Sequence, residues 1–207
     1  MYKLIKRFFD FIVALALLIL LSPLLLIISI AIRLDSPGPV FVKLTRIGQN
    51  AHPFSALKFR TMLIHANDTS HQIYIEKLIT GKFGPEKGAA TLKLRNDPRV
   101  TIVGLFLKRY SLDELPQVVN ILVGDMSLVG PRAAIPFEVE HYEEWQLERL
   151  KIKPGLTGLW QVYGQGTEVD FNQMVKMDID YLNRQSFLLD IKILLKTVLV
   201  TLSGTGT

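Results

Sequence analysis

The longest uniform stretch of the chain is apolar. From Phe11 to Ile32 no side chain is charged, and only Ser22 and Ser29 are polar. A helix of that length measures roughly 33 Å at about 1.5 Å per residue, enough to cross a hydrocarbon core of about 30 Å. The run is too long for a cleavable signal, and no small-residue cleavage site precedes Arg33. Ser22-Pro23 falls at its middle, where proline kinks or breaks a helix. Cations flank both ends: Lys3, Lys6 and Arg7 before it, Arg33, Lys43 and Arg46 after it. Cationic flanks stay on the cytoplasmic side. A helix that enters, breaks at Ser22-Pro23 and returns satisfies both flanks, whereas an ordinary kinked span satisfies one.

Shorter patterns follow. Asp35 to Pro39 is rich in turn formers. Residues 40–46 and 54–62 read as two strands joined through Gly48-Gln49-Asn50, which predicts a hairpin. Lys58 and Arg60 are two apart and point to one face of the second strand, either holding a diphosphate or lining a solvated face. Residues 67–93 predict one short helix near 73–79 in a mobile loop. His65 and His71, close by, lack carboxylate partners at ligand spacing. Leu115, Val118, Val119 and Leu122 mark the apolar face of a helix running to Val123, with Gly124 as its stop. Residues 136–150 read as one helix with an acidic, solvated face, and Phe137, Tyr142 and Trp145 for packing. The spaced glycines of residues 153–166 make either a loop that approaches a ligand closely or a set of structural turns. Ser186 to Leu202 mixes Leu, Ile and Val with Asp190, Lys192, Lys196 and Thr197, as an interfacial helix or a docked core helix would.

Composition narrows the class. The chain has 207 residues, enough for one domain plus an appendage: residues 1–35 as the membrane helix and 36–207 as a membrane-associated catalytic domain. It has no cysteine, which excludes disulfides, thiol nucleophiles and cysteine–zinc sites. A formal net charge of +5 suits anionic partners, and the apolar N-terminus favours anionic lipid or a phosphorylated substrate over nucleic acid. There is no His-Glu-x-x-His pattern and no nucleotide-binding glycine fingerprint.

The candidate chemistry lies in residues 111–117, which hold the adjacent carboxylates Asp113 and Glu114. Lys108 and Arg109 precede them, and Gly130-Pro131-Arg132 follows. One reading is a capping box formed by Ser111 and Glu114, with carboxylates that only start a helix. Pro116 disturbs it, because proline is poorly tolerated inside a helix and biases Leu115 away from helical angles. On the other reading the helix begins at Pro116. The carboxylates then sit on the turn before it as a phosphoryl-transfer centre with a divalent metal. Arg132, just beyond a Gly-Pro turn, suits phosphate because its planar fork donates two parallel hydrogen bonds.

Taken in order, Ser-Pro-Gly-Pro (36–39), Lys-Phe-Arg-Thr-Met (58–62), Ser-Leu-Asp-Glu-Leu-Pro-Gln (111–117), Gly-Asp-Met-Ser-Leu-Val-Gly-Pro-Arg (124–132) and Lys-Pro-Gly-Leu-Thr-Gly (153–158) closely resemble the bacterial sugar transferases. These are the monotopic polyprenyl-phosphate phosphoglycosyl transferases that start O-antigen, capsule, exopolysaccharide and glycoprotein glycan synthesis. The resemblance covers nearly the whole chain, whose length looks like the small form without the extra N-terminal spans of larger relatives. It implies an α+β, mostly helical fold: an N-terminal re-entrant membrane helix, a short β-hairpin and interfacial amphipathic helices. It implies a place in the bacterial inner membrane, with the active site facing the cytoplasm.

The resemblance also implies a reaction. A UDP-sugar donates its sugar 1-phosphate to undecaprenyl phosphate and UMP leaves. Asp113 attacks to form a covalent aspartyl-phosphosugar intermediate, and Glu114 holds Mg²⁺. Lys58, Arg60, Lys108, Arg109 and Arg132 would neutralise the remaining phosphate charge. The implied partners are the donor, the acceptor and the bilayer, with no nucleic acid and a homodimer allowed. Two positions depart from the family pattern: Gln165 stands where relatives carry Arg, and Ala133 where Pro is usual. Two rivals remain, a non-catalytic membrane-anchored polyprenyl-phosphate binding protein and a metal-dependent phosphohydrolase. The first predicts no UMP release, the second no lipid-linked diphosphate.

Overall fold

The computed structural model describes residues 2–63, 99–164 and 171–203. The helix expected near 73–79, His65, His71 and Gln165 lie outside these residues. Helix α1, Tyr2–Asp35, carries the apolar run and stays helical through Pro23. Ser22 Oγ donates to Ile19 O at 2.8 Å. The break expected at Ser22-Pro23 does not appear as an unwound turn: the helix runs on through both residues. Both ends of α1 pack on one folded body. Ala14 joins a core with Ile121, Met126, Leu128 and Tyr181, while Ile28 and Ile32 join Phe59 and Leu107.

Strands β1, Phe41–Ile47, and β2, Pro53–Phe59, form the expected antiparallel hairpin. Val42 stands opposite Lys58, and Arg46 opposite Phe54. The turn is a short 3-10 helix, Gln49–Ala51, with Asn50 and Ala51 at φ of 55° and 60°. The second strand stops at Phe59, three residues short of the expected 62. Beyond it Thr61 and Met62 leave the hairpin: Thr101 N donates to Thr61 O at 3.0 Å, and Met62 bridges Val100.

Helix α2, Ile102–Arg109, is capped by the Thr101 side chain, which accepts from Gly104 N. A 3-10 helix, Leu112–Gln117, then leads into α3, Val118–Val123. The capping box does not form. Ser111 is left-handed (φ 53°) and its side chain caps nothing. Nor does the helix wait for Pro116: the first turn holds Asp113 and Glu114 as a 3-10 helix, and regular α-helix starts after the proline. The tighter repeat of a 3-10 turn rotates the buried face. Val118 and Ile121 are buried, whereas Val119, expected on the apolar face, is 37% exposed. Gly124, at φ 98°, ends α3 as expected.

Strand β3, Ser127–Val129, pairs in parallel with β4, Gly155–Thr157. A parallel pair needs a long crossover. Here it holds α4, Pro136–Val139, and a 3-10 helix, Glu144–Lys151. The single helix expected over 136–150 is thus two pieces, and its acidic face is not all solvated, because Glu138 is 0% exposed. Gly155 and Gly158 serve structure: a Cβ on either would strike the Gly130 backbone. Helix α5, Leu159–Tyr163, precedes α6, Phe171–Arg184, and α7, Phe187–Leu202. Ser186 caps α7 by accepting from Leu189 N. Helix α6 has no counterpart in the sequence expectations. The architecture is mostly helical, with a short antiparallel sheet and an N-terminal apolar helix.

One side chain fixes the hairpin to the helix that follows the carboxylates. Asn120 of α3 accepts from Leu57 N at 2.9 Å and donates to Ser55 O at 2.8 Å. Asn120→Ala removes both bonds and leaves a buried Leu57 N–H unpaired, which costs about 1–3 kcal/mol per orphaned group. Thermal unfolding in detergent should show a clearly lowered Tm.

Candidate active site

The 3-10 turn places Asp113 and Glu114 opposite the end of β2. Lys58 Nζ lies 2.6 Å from Glu114 Oε1 and 3.3 Å from Asp113 Oδ2. One ammonium thus holds two neighbouring carboxylates that would otherwise repel each other. Burial works against the Lys58 charge, but Glu114 and then Asp113 outweigh it and hold its pKa above the ordinary value. Asp113 is 3% exposed, and its Oδ1 is buried without a hydrogen-bond partner. The Glu114 side chain reaches further out, at 32% exposure.

These oxygens fit a magnesium ion by their chemistry. Mg²⁺ takes hard oxygen ligands, usually one or two carboxylates, and completes its shell with substrate phosphates and water. Asp113 Oδ1 has no hydrogen-bond partner among the described residues. Among the described residues no third Asp, Glu or His joins the pair, so substrate and water would supply the remaining ligands.

Arg132 follows β3 and lies against α4. Its Nη2 is 2.6 Å from Glu138 Oε1, and its Nη1 donates to Ala133 O at 3.0 Å. Glu138 Oε2 also accepts from Ile135 N at 3.1 Å. Behind it, Arg149 Nη1 donates to Tyr142 Oη at 2.8 Å and Nη2 to Arg132 O at 3.0 Å. Arg149 also pairs with Asp178 of α6, and both are fully buried. The sequence pattern missed all three: Glu138 and Arg149 fall in the stretch read as one helix with an acidic, solvated face, and Asp178 falls on α6, which the pattern did not predict.

Arg46 was also missed as a site residue, having been counted only as a flanking cation. It lies on β1, and alternation with the cross-strand register puts it on the same hairpin face as Lys58. That periodicity was the available signal. Its charge interacts with Arg132, Glu138 and Glu114, and burial followed by Arg132 pushes its pKa down to about 10.

Arg60 is placed elsewhere. It is 4% exposed, and its guanidinium donates to the carbonyls of Ile32, Ser36 and Pro37, so it clamps the end of α1. Arg109 is exposed, with its guanidinium 5.8 Å from the Tyr110 ring centroid. Lys108, in the same last turn of α2, is half-buried. Ser22 and Pro23 are exposed at mid-α1, away from the carboxylates at the sequence level and within the apolar run.

A family model for bacterial sugar transferases matches residues 1–204. The exopolysaccharide production protein ExoY of Rhizobium meliloti (strain 1021) is 40% identical over 196 residues, covering 93% of this chain and 83% of that protein. The UDP-glucose:undecaprenyl-phosphate glucose-1-phosphate transferase of Escherichia coli (strain K12) is 41% identical over 206 residues, 95% of this chain and 40% of that protein. The undecaprenyl-phosphate galactose phosphotransferase of Salmonella typhimurium is 38% identical over 204 residues, 99% of this chain and 42% of that protein. The chain therefore spans less than half the length of these two transferases. The match runs over nearly the whole chain, and the chain belongs to the bacterial sugar transferase family.

Proposed function

We propose that the protein transfers a sugar 1-phosphate from a UDP-sugar to undecaprenyl phosphate, giving undecaprenyl-diphospho-sugar and UMP. It would thereby make the first membrane step of a polysaccharide or glycoconjugate. The observation that carries this reading is the Asp113–Glu114 pair on one half-buried lysine, with Asp113 Oδ1 unengaged among the described residues. The names of the relatives supply the substrate class.

In this reading a carboxylate oxygen of Asp113 attacks the sugar-bearing phosphorus of the donor. The bond from that phosphorus to the UMP oxygen breaks, and UMP leaves with the electron pair. A phosphate oxygen of undecaprenyl phosphate then attacks the same phosphorus, forming the diphosphate and freeing Asp113. Aspartyl phosphates are an established way to divide phosphoryl transfer in two. Lys58 fixes Asp113 and screens it against Glu114. Arg132 meets the phosphate charge from the other side. Glu114 holds Mg²⁺, which when bound neutralises charge on the phosphates.

The same proposal includes a re-entrant α1 and an interfacial α7. A straight helix of α1's length runs about 51 Å, and a span would carry one end to the far side of the bilayer. Yet Lys6 pairs with Asp190 of α7 at 2.8 Å, and Asp35 at the other end accepts from Val103 N at 3.1 Å. The middle projects apolar side chains, with Leu20 75% and Ile27 64% exposed. On α7, Leu188, Leu195 and Leu199 are each at least 65% exposed, an apolar face suited to lipid. On this reading both cationic flanks stay on the cytoplasmic side, and the acid pair would face the cytoplasm from the inner membrane.

Four outcomes test this. Asp113→Asn should remain folded and membrane-bound, yet show no phosphosugar adduct by intact-protein mass spectrometry with a UDP-sugar alone. Glu114→Gln should turn over very slowly with a raised Mg²⁺ requirement while still acquiring the adduct. A normal rate for Asp113→Asn would refute the assignment. Cysteines placed near Lys3 and near Asp35 should both be shielded from a periplasmic thiol reagent in intact cells; labelling of the N-terminal one alone would leave a simple span. Gln165→Ala should cost much less activity than Arg132→Ala, because glutamine there lacks the charge that relatives carry.

A further inference from the structure

Among the described residues, Arg46 is a cation of this site whose guanidinium makes no hydrogen bond or ion pair. Lys58 is spent on two carboxylates, Arg132 on Glu138, and Arg60 on three backbone carbonyls. Arg46 is half-buried and makes no hydrogen bond or ion pair among the described residues. Its electrostatic neighbours are Arg132, Glu138 and Glu114, and it acts on Lys58 in turn. Two of these four neighbours are cations. Removing a guanidinium from water beside like charges without hydrogen bonds is unfavourable, and an anion entering between Arg46 and Arg132 reverses the sign.

The strand geometry keeps Arg46 in place for that role. The Ile47 backbone, one residue on, donates to Ala134 O at 2.9 Å. That bond fixes the end of β1 against the segment carrying Arg132. The register sets Arg46 and Lys58 on the same face, so a ligand over the carboxylate pair meets both.

We propose that Arg46 is a ligand for the diphosphate of the nucleotide-sugar donor, acting with Arg132 as a guanidinium pair beside the Asp113–Glu114 dyad. This rests on the donor reading given above and adds to it a residue outside the acid pair. Two planar forks suit a diphosphate, since each offers parallel N–H donors to phosphate oxygens. A lysine at position 46 would keep the charge but lose the fork.

The test compares UDP with uridine on the full-length protein in nanodiscs with MgCl₂, by calorimetric titration. Wild type should bind UDP more tightly than uridine. Arg46→Gln should weaken UDP by about tenfold or more, the scale of a lost charge-assisted contact, and leave uridine unchanged. Arg46→Lys should fall between them. Equal UDP affinity in wild type and Arg46→Gln overturns the assignment, as does a parallel loss of UDP and uridine, which marks structural damage. If Arg46→Gln does not fold, Arg46→Lys carries the comparison by the same UDP-to-uridine ratio. A wild type that neither binds UDP nor releases UMP from a UDP-sugar defeats the donor reading itself, a result distinct from a failure confined to the variants.

Discussion

Two adjacent carboxylates cannot share a small buried volume unless something positive stands between them. Lys58 is that group, and much of the fold exists to bring it there. The hairpin supplies a rigid strand, and Asn120 of α3 ties that strand to the helix the carboxylates begin. Phe59, next to Lys58, packs under Ile28, Ile32 and Leu107, which fixes the strand's depth. The ion pair's energy depends strongly on local dielectric. Placing Lys58 and Asp113 at 15% and 4% side-chain exposure makes the contact firm without sealing Glu114 away from substrate.

The apolar helix is part of this body as well as an anchor to lipid. Its first turns carry Lys6, Arg7 and Asp10, groups that lipid would not tolerate unpaired. Each finds a protein partner: Lys6 meets Asp190, Arg7 donates to the carbonyls of Ile121 and Leu122, and Asp10 accepts from Ser127 Oγ at 2.7 Å. The Arg7 contacts satisfy the last carbonyls of α3, as a cation at a helix C-terminus does. At the other end Arg60 does the same for α1. Membrane attachment and the position of the acid pair are therefore mechanically linked through two arginines, each closing the end of a different helix.

What could be read from the sequence was what local rules control. The apolar run, the hairpin, the glycine stop at Gly124 and the acid pair all follow from pattern or turn chemistry. The failures came mostly where polar side chains took partners that no periodic pattern encodes. Alternation paired Arg60 with Lys58, but the strand had already ended and Arg60 turned towards α1. Glu138 looked like part of a wet helix face until Arg132 and the Ile135 N–H claimed it. Helix α6 escaped notice because Asp178 and Tyr181 stand on its buried face, so its periodicity is not purely apolar. Val119 was misplaced by the difference between a 3.0- and a 3.6-residue repeat over a single turn.

The side chains behind Arg132 give the last step. Arg132's side chain bonds Glu138, Arg149 bonds both Tyr142 and the Arg132 carbonyl, and Tyr142 Oη lies 3.5 Å from Glu138 Oε2. One arginine is thus held by its guanidinium and by its own backbone, through residues drawn from the crossover between the two parallel strands. Burying Glu138, Arg149 and Asp178 is costly, and such groups often stabilise a fold less than apolar ones would. What they supply is a guanidinium that does not have to be ordered when an anion arrives. In the proposed reaction, which depends on fixed charges aimed at the reacting group, the buried charges would find their use in the direction they give Arg132. Arg46 lacks such a buttress and gains its order from the strand alone. The two arginines thus present the same chemistry from two kinds of support, one a side-chain ring and the other a β-ladder.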